Sequence, residues 1–96
     1  MGYSLEFLPD VQDFLFNLPR LSHEDRVRLF DTLDVLRTHG DDYRGDASRR
    51  LSPGSEHFSF DLLLLSESGE FRHFRFVVSD ASAVYGVLRL VYADEL

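Results

Sequence analysis

Apolar and polar residues alternate at the start of the chain. Tyr3, Leu5 and Phe7 are separated by Ser4 and Glu6, the period-two pattern of a half-buried strand. Pro9-Asp10 breaks that pattern and suits the opening of a helix. Val11, Phe14, Leu15 and Leu18 then fall at i, i+3, i+4 and i+7, which makes one apolar helical face, and Pro19 ends it. Ser22 is a good N-cap, with Glu24 and Asp25 in the first turn, where the helix dipole favours negative charge. Val27, Phe30, Leu33 and Leu36 recur at three-residue spacing and Leu29 widens the stripe. Gly40 follows Thr38-His39 as a natural residue just past a helix end. The spacing therefore predicts a second helix over residues 22–39.

From Asp41 to Glu56 the composition turns to Asp, Arg, Ser, Gly and Pro, a connecting loop with a short strand or turn around Arg50-Leu51. Phe58, Phe60, Leu62 and Leu64 then alternate with Ser59, Asp61 and Leu63, so a strand starts near His57. Ser66-Glu67-Ser68-Gly69 reads as a hairpin turn. The return strand, Phe71–Val78, carries Arg72, Phe74, Phe76 and Val78 on one side and Phe71, His73, Arg75 and Val77 on the other. After a turn at Ser79-Asp80-Ala81-Ser82, Val84–Tyr92 forms a last strand, apolar apart from Arg89 and so expected inside the sheet. The alternating Phe58, Phe60, Phe74 and Phe76 are expected to form one core face against the helices. An exposed stacking platform for nucleic acid is the alternative.

The order strand, helix, helix and three strands makes this an α+β chain, β-α-α-β-β-β, in two layers. An antiparallel sheet carries two helices on one face, and the first strand most simply lies beside the last. No repeat or boundary divides residues 1–96, which read as a single domain.

Hydrophobic residues make up 44% of the chain, nine of them Phe, so one core can form without staples. The absence of Cys removes disulfides, thiolate catalysis and Cys-based metal sites. The N-terminus has no basic and apolar leader pattern, and runs such as Leu62–Leu65 are far below the roughly 18 residues that span a bilayer. A cytoplasmic location is expected, with no membrane partner. The charge is unbalanced: 17 acidic residues face 10 basic ones, all Arg, for a net charge of −7. Such a chain repels nucleic acid at long range, so free duplex DNA is not an expected partner, although a local Arg cluster can grip a phosphate.

The order of elements resembles the RelE/ParE superfamily of type II toxins (RelE-like or HigB-like), and the local phrases that carry the resemblance span nearly the whole chain. They are Phe14-Leu15-Phe16-Asn17-Leu18-Pro19, Leu36-Arg37-Thr38-His39-Gly40, Arg50-Leu51 before the hairpin, and Phe71-Arg72-His73-Phe74-Arg75-Phe76 on the third strand. The resemblance implies a RelE/ParE-like fold and a toxin neutralised by a cognate antitoxin. It further implies an mRNA interferase, an endoribonuclease that inhibits translation by cutting ribosome-bound mRNA. This chain departs from the pattern at several points. Asp61 stands where the second sheet strand often carries Arg, no Lys is present, and Tyr92-Ala93-Asp94-Glu95-Leu96 brings acid where such toxins carry basic residues. The competing expectation is therefore a non-catalytic, acidic protein-binding module on the same scaffold, a degenerate toxin or a phage-derived inhibitor of a host protein. Self-association through an edge strand or an apolar helix face is a third possibility.

Cleavage through a ribose 2′-hydroxyl needs a base, an acid and cations on the phosphate. The candidate catalytic residues are His73 and Arg75, on one strand face by alternation, with Arg89 and Tyr85 sharing parity on the last strand. Arg72 joins them because the resemblance puts the family's Arg at its position. The alternative for His73 and Arg75 is an exposed face paired across the ladder to Asp61 or Glu70. His23, His39, His57 and His73 have no metal-ligand spacing, and no phosphate-binding or nucleotide fingerprint occurs, so neither metal nor cofactor is expected. Arg44, Arg49 and Arg50 are interleaved with Asp41, Asp42 and Asp46 and read as a self-neutralised loop.

Overall fold

Within residues 2–96, which the computed structural model describes, the chain forms β1 (Ser4–Phe7), α1 (Pro9–Phe16), α2 (His23–Leu33), α3 (Val35–Arg44), β2 (His57–Leu65), β3 (Phe71–Ser79) and β4 (Val87–Glu95). Short 3₁₀ turns occupy Ala47–Arg49 and Ala83–Tyr85. The strand order is β1-β4-β3-β2, so the first strand does lie beside the last. It runs parallel to it, with Leu5 opposite Leu88 and Phe7 opposite Leu90, which makes the four-stranded sheet mixed and not wholly antiparallel. The β1-to-β4 connection is the rest of the fold, long enough for a parallel return.

One sheet face carries the core. Phe58, Phe60, Leu62, Leu64, Phe74, Phe76, Val78, Leu88 and Leu90 are buried there, so the alternating phenylalanines pack inward. All three helices cover this face. Phe14 of α1 meets Phe74 edge-on at 6.4 Å, Phe30 of α2 meets Phe7 in the same way at 6.2 Å, and Tyr43 of α3 meets Phe60 at 5.0 Å. Among the described residues, no helix is long and apolar enough to cross a membrane.

The helical layer departs from its sequence pattern in three places. α1 stops at Phe16, although Leu18 beyond it is still buried. Ser22 caps α2 with a full capping box: its hydroxyl accepts from the Asp25 N–H at 3.0 Å and Asp25 accepts from the Ser22 N–H at 3.3 Å. The expected single helix over 22–39 instead breaks at Asp34 and continues as α3 to Arg44, leaving Val27 outside the core at 41% exposure. α3 is itself kinked at His39 (φ −118°, ψ 16°), so Gly40 follows a break in the helix where the sequence pattern expects its end, and the helix resumes beyond it to Arg44. A Cβ built on it would lie 2.9 Å from Tyr3 Cδ2 and 3.0 Å from Leu88 Cδ1, so this glycine lets α3 press against β1 and β4.

The last strand also starts later than its apolar pattern suggests. Val84 and Tyr85 belong to the 83–85 turn, Gly86 closes it at φ +77°, and β4 begins at Val87. A register shift at Val77/Val78 leaves Val91 as an extra residue, because Val77 faces Tyr92 while Val78 faces Leu90. Beyond this bulge the parity of β4 is inverted, and Ala93 and Glu95 turn toward the core side.

Candidate functional site

The five residues singled out from the sequence do not form one cluster. β3 alternates as expected, so Arg72 lies on the core face and is 3% exposed, whereas His73 and Arg75 lie on the open face. Arg72 donates from Nε and Nη2 to the two carboxylate oxygens of Glu95, at 2.7 and 2.6 Å, and from Nη1 to the Pro19 carbonyl at 2.7 Å. Its guanidinium sits 5.7 Å from the Phe74 ring centre. Three of its five N–H donors are thus engaged inside the fold. The Arg72 hydrogen bonds hold the Glu95 carboxyl below its ordinary range, and Glu95 raises the guanidinium in turn.

On the open face, Arg75 grips Asp61 with two bonds of 2.9 Å, directly across the β2–β3 ladder. His73 Nε2 approaches the same carboxylate at 3.4 Å. The Arg75 hydrogen bonds depress the Asp61 pKa, with His73 contributing. One further pair completes the face: Arg89 donates to Glu6 at 3.0 Å, from the register position opposite it on β1. Tyr85 is 84% exposed in the 83–85 turn, off the strand, and shares no face with Arg89. The expected parity link between them is lost because Gly86 ends the turn between them.

Six of the seven remaining arginines are likewise paired with carboxylates. Arg20 pairs with Glu70, Arg28 with Asp25, Arg37 with Asp34, Arg49 with Asp46, and Arg44 and Arg50 both with Asp80. Arg26 alone has no carboxylate among the described residues, and it donates instead to the carbonyls of Leu15 and Leu18. Burial raises the Asp80 carboxyl, but the bonds from Arg50 and Arg44 outweigh it and leave the pKa lowered. Arg44 and Arg49 are thus neutralised by Asp41 and Asp46, as their interleaving predicts, whereas Arg50 is neutralised from outside the loop by Asp80.

The acids are not balanced in return. Asp10, Asp13, Glu24, Asp31, Glu56, Glu67 and Asp94 form no ion pair among the described residues. Four of the seven lie on α1 and α2. A cavity of about 310 Å³ lies between Gly2, Tyr3, Asp41, Arg44, Val84 and Gly86. Its polar groups are already engaged: the Tyr3 hydroxyl donates to Asp41 and accepts from Arg44 at 2.7 Å. No group of three or more His, Asp or Glu residues suited to a metal ion occurs among the described residues.

Three features of the site were missed from the sequence. Glu95 is the partner of Arg72, reached only through the β4 bulge. Asp25 is 2% exposed and joins α2 to the β2–β3 hairpin by accepting from the Glu67 N–H at 3.0 Å. Leu63, Leu65 and Phe71 are 64%, 47% and 70% exposed on the open face, and only the odd parity of those positions hinted at it. Compared with protein-family models, with curated proteins and with solved structures, the chain matches none.

Proposed function

We propose that this chain is a non-catalytic, acidic protein-binding module on a RelE/ParE-like scaffold, directed at a basic protein surface. The observation that carries the reading is that all ten arginines are engaged within the fold, nine with carboxylates and Arg26 with backbone carbonyls. A phosphate-cutting site needs guanidinium or imidazole groups whose donors face the substrate. Here Arg72 faces inward, and His73 and Arg75 converge on Asp61. The uncompensated charge is negative, which steers encounter with basic surfaces and away from RNA.

The second reading is a type II toxin held by an antitoxin and acting as an mRNA endoribonuclease. The sheet order, with β1 beside β4 and the helices on one face, favours it. Inducible expression in a bacterial host separates the two, with wild type beside His73→Ala/Arg75→Ala, a variant that leaves the buried Arg72 in place. The binding reading expects normal growth, intact mRNA and no retention of a single-stranded RNA oligomer at low salt. It also expects a Lys/Arg-rich peptide to bind with an affinity that falls as salt rises. Growth arrest with mRNA cleavage, relieved by the double change, would overturn it in favour of the toxin.

A further inference from the structure

The sheet face turned away from the helices carries a row of charge between two apolar bands. Arg75 stands between Asp61 on β2 and Asp94 on β4. Opposite residues on neighbouring strands share a face, so all three side chains lie on the open side. On one flank His73 stands opposite Leu63, and Leu96 continues the β4 register, its N–H donating to the His73 carbonyl at 2.8 Å. Phe71 lies beyond, opposite Leu65, and on the other flank Val77 faces Tyr92. Among the described residues ten large apolar side chains are exposed, and five of them are in these bands: Leu63, Leu65, Phe71, Tyr92 and Leu96. The exposed apolar surface is therefore concentrated here.

The charged row is one cation short. Arg75 gives both Nε and Nη2 to Asp61 at 2.9 Å, while Asp94, on its other side, forms no ion pair among the described residues. A carboxylate among apolar side chains loses its hydration when that face is covered, and a partner cation is what offsets the loss. Tyr92, two residues before Asp94 on the same strand face, sets an aromatic ring beside it. A guanidinium can stack on such a ring while it pairs with the carboxylate.

We infer that this face receives an arginine of a basic partner protein, flanked in that partner by apolar residues. Its guanidinium pairs with Asp94 and stacks on Tyr92, and the apolar neighbours cover Leu63, Phe71 and Leu96. This rests on the reading of the chain as an acidic binding module, and it names the contact face of that module. Charge complementarity selects the occupant. All ten arginines of the chain are engaged within the fold and it has no Lys, so a second copy brings no cation to spare. A purely apolar partner would leave Asp94 buried and unpaired, and a phosphate would be repelled by it.

Titration of the isotope-labelled full chain with a short synthetic peptide of alternating Arg and Leu, followed by amide chemical shifts, tests this directly. Shifts are expected over residues 61–65, 71–77 and 92–96, with the amides of Asp10, Asp13, Glu24 and Asp31 unmoved. Citrulline in place of each peptide Arg keeps the shape and removes the charge, and is expected to weaken binding about tenfold. Asp94→Asn is expected to do the same with unchanged circular dichroism, and Leu63→Ser/Phe71→Ser to weaken binding severalfold. Asp31→Asn removes an equal charge from α2 and is expected to have a much smaller effect than Asp94→Asn. Shifts confined to α1 and α2, or equal losses in Asp94→Asn and Asp31→Asn, would overturn this face and leave the basic-surface reading standing. A wild type that binds no such peptide even at low salt would overturn both.

Discussion

Arg72 and Glu95, 23 residues apart in the chain, are joined by two hydrogen bonds of 2.7 and 2.6 Å on the core side of the sheet. The pair ties the end of β4 to β3 and, through the Pro19 carbonyl, to the segment after α1. Bidentate Arg–carboxylate geometry is the strong form of this bond, and its removal leaves a desolvated partner without compensation.

Arg72→Ala is accordingly expected to cost about 3–5 kcal/mol of stability, because it strands Glu95 and the Pro19 carbonyl together. Arg75→Ala breaks an equally well-formed pair in solvent and is expected to cost no more than about 1 kcal/mol. Urea denaturation of the two variants measures the contrast. Equal midpoints would show that the Arg72 pair is not the structural one.

Stability is expected to be flat near neutral pH and to fall on acidification. Asp25, Asp61, Asp80 and Glu95 all have folded pKa values below their ordinary ones. Each contributes stability that is fully present above its unfolded value and is lost as pH falls through its folded one. The loss should therefore begin near pH 4 and continue below it. Glu95→Gln removes one of these groups and should make the acid limb of the thermal-midpoint profile less steep.

Gly40→Ala is expected to destabilise by about 1–3 kcal/mol, the cost of overpacking, although alanine is the better helix former. Its Cβ would meet the Tyr3 ring and the Leu88 methyl at 3.0 Å or less. A thermal midpoint equal to or above wild type would mean that α3 stands further from β1 than described.

Asp25→Asn should loosen the β2–β3 hairpin from α2. The carboxylate holds the N–H groups of Ser22 and Glu67 together with the Arg28 guanidinium, and burial acts against it. Faster hydrogen exchange at the Glu67 amide, with the central β3 amides unchanged, is the expected readout.

Tyr85→Ala should change stability by no more than about 0.5 kcal/mol, since its side chain is 84% exposed in a turn. A strand residue beside Arg89 would cost more when truncated.

Hydrophobic periodicity alone determined much of this molecule. The strands β1, β2 and β3, the Ser22 cap and the inward Phe58, Phe60, Phe74 and Phe76 are local consequences of spacing, and the structure keeps them. Alternation also separated Arg72 from His73 and Arg75, and the ladder partner of Arg75 is the Asp61 that its charge allows. Other features depend on contacts that no local window contains. The kink at His39 and the buried Gly40 lie where α3 presses against Tyr3 and Leu88, a contact set by strands distant in sequence. The parallel pairing of β1 is a choice of neighbour, and period two is silent about direction. The inversion of β4 at Val91 brought Glu95 to Arg72, because one extra residue turns every later side chain to the opposite face. Residue types determined which charges exist. Only the tertiary structure decided that every arginine would be held within the fold, since pairing depends on distances between strands and helices far apart in sequence.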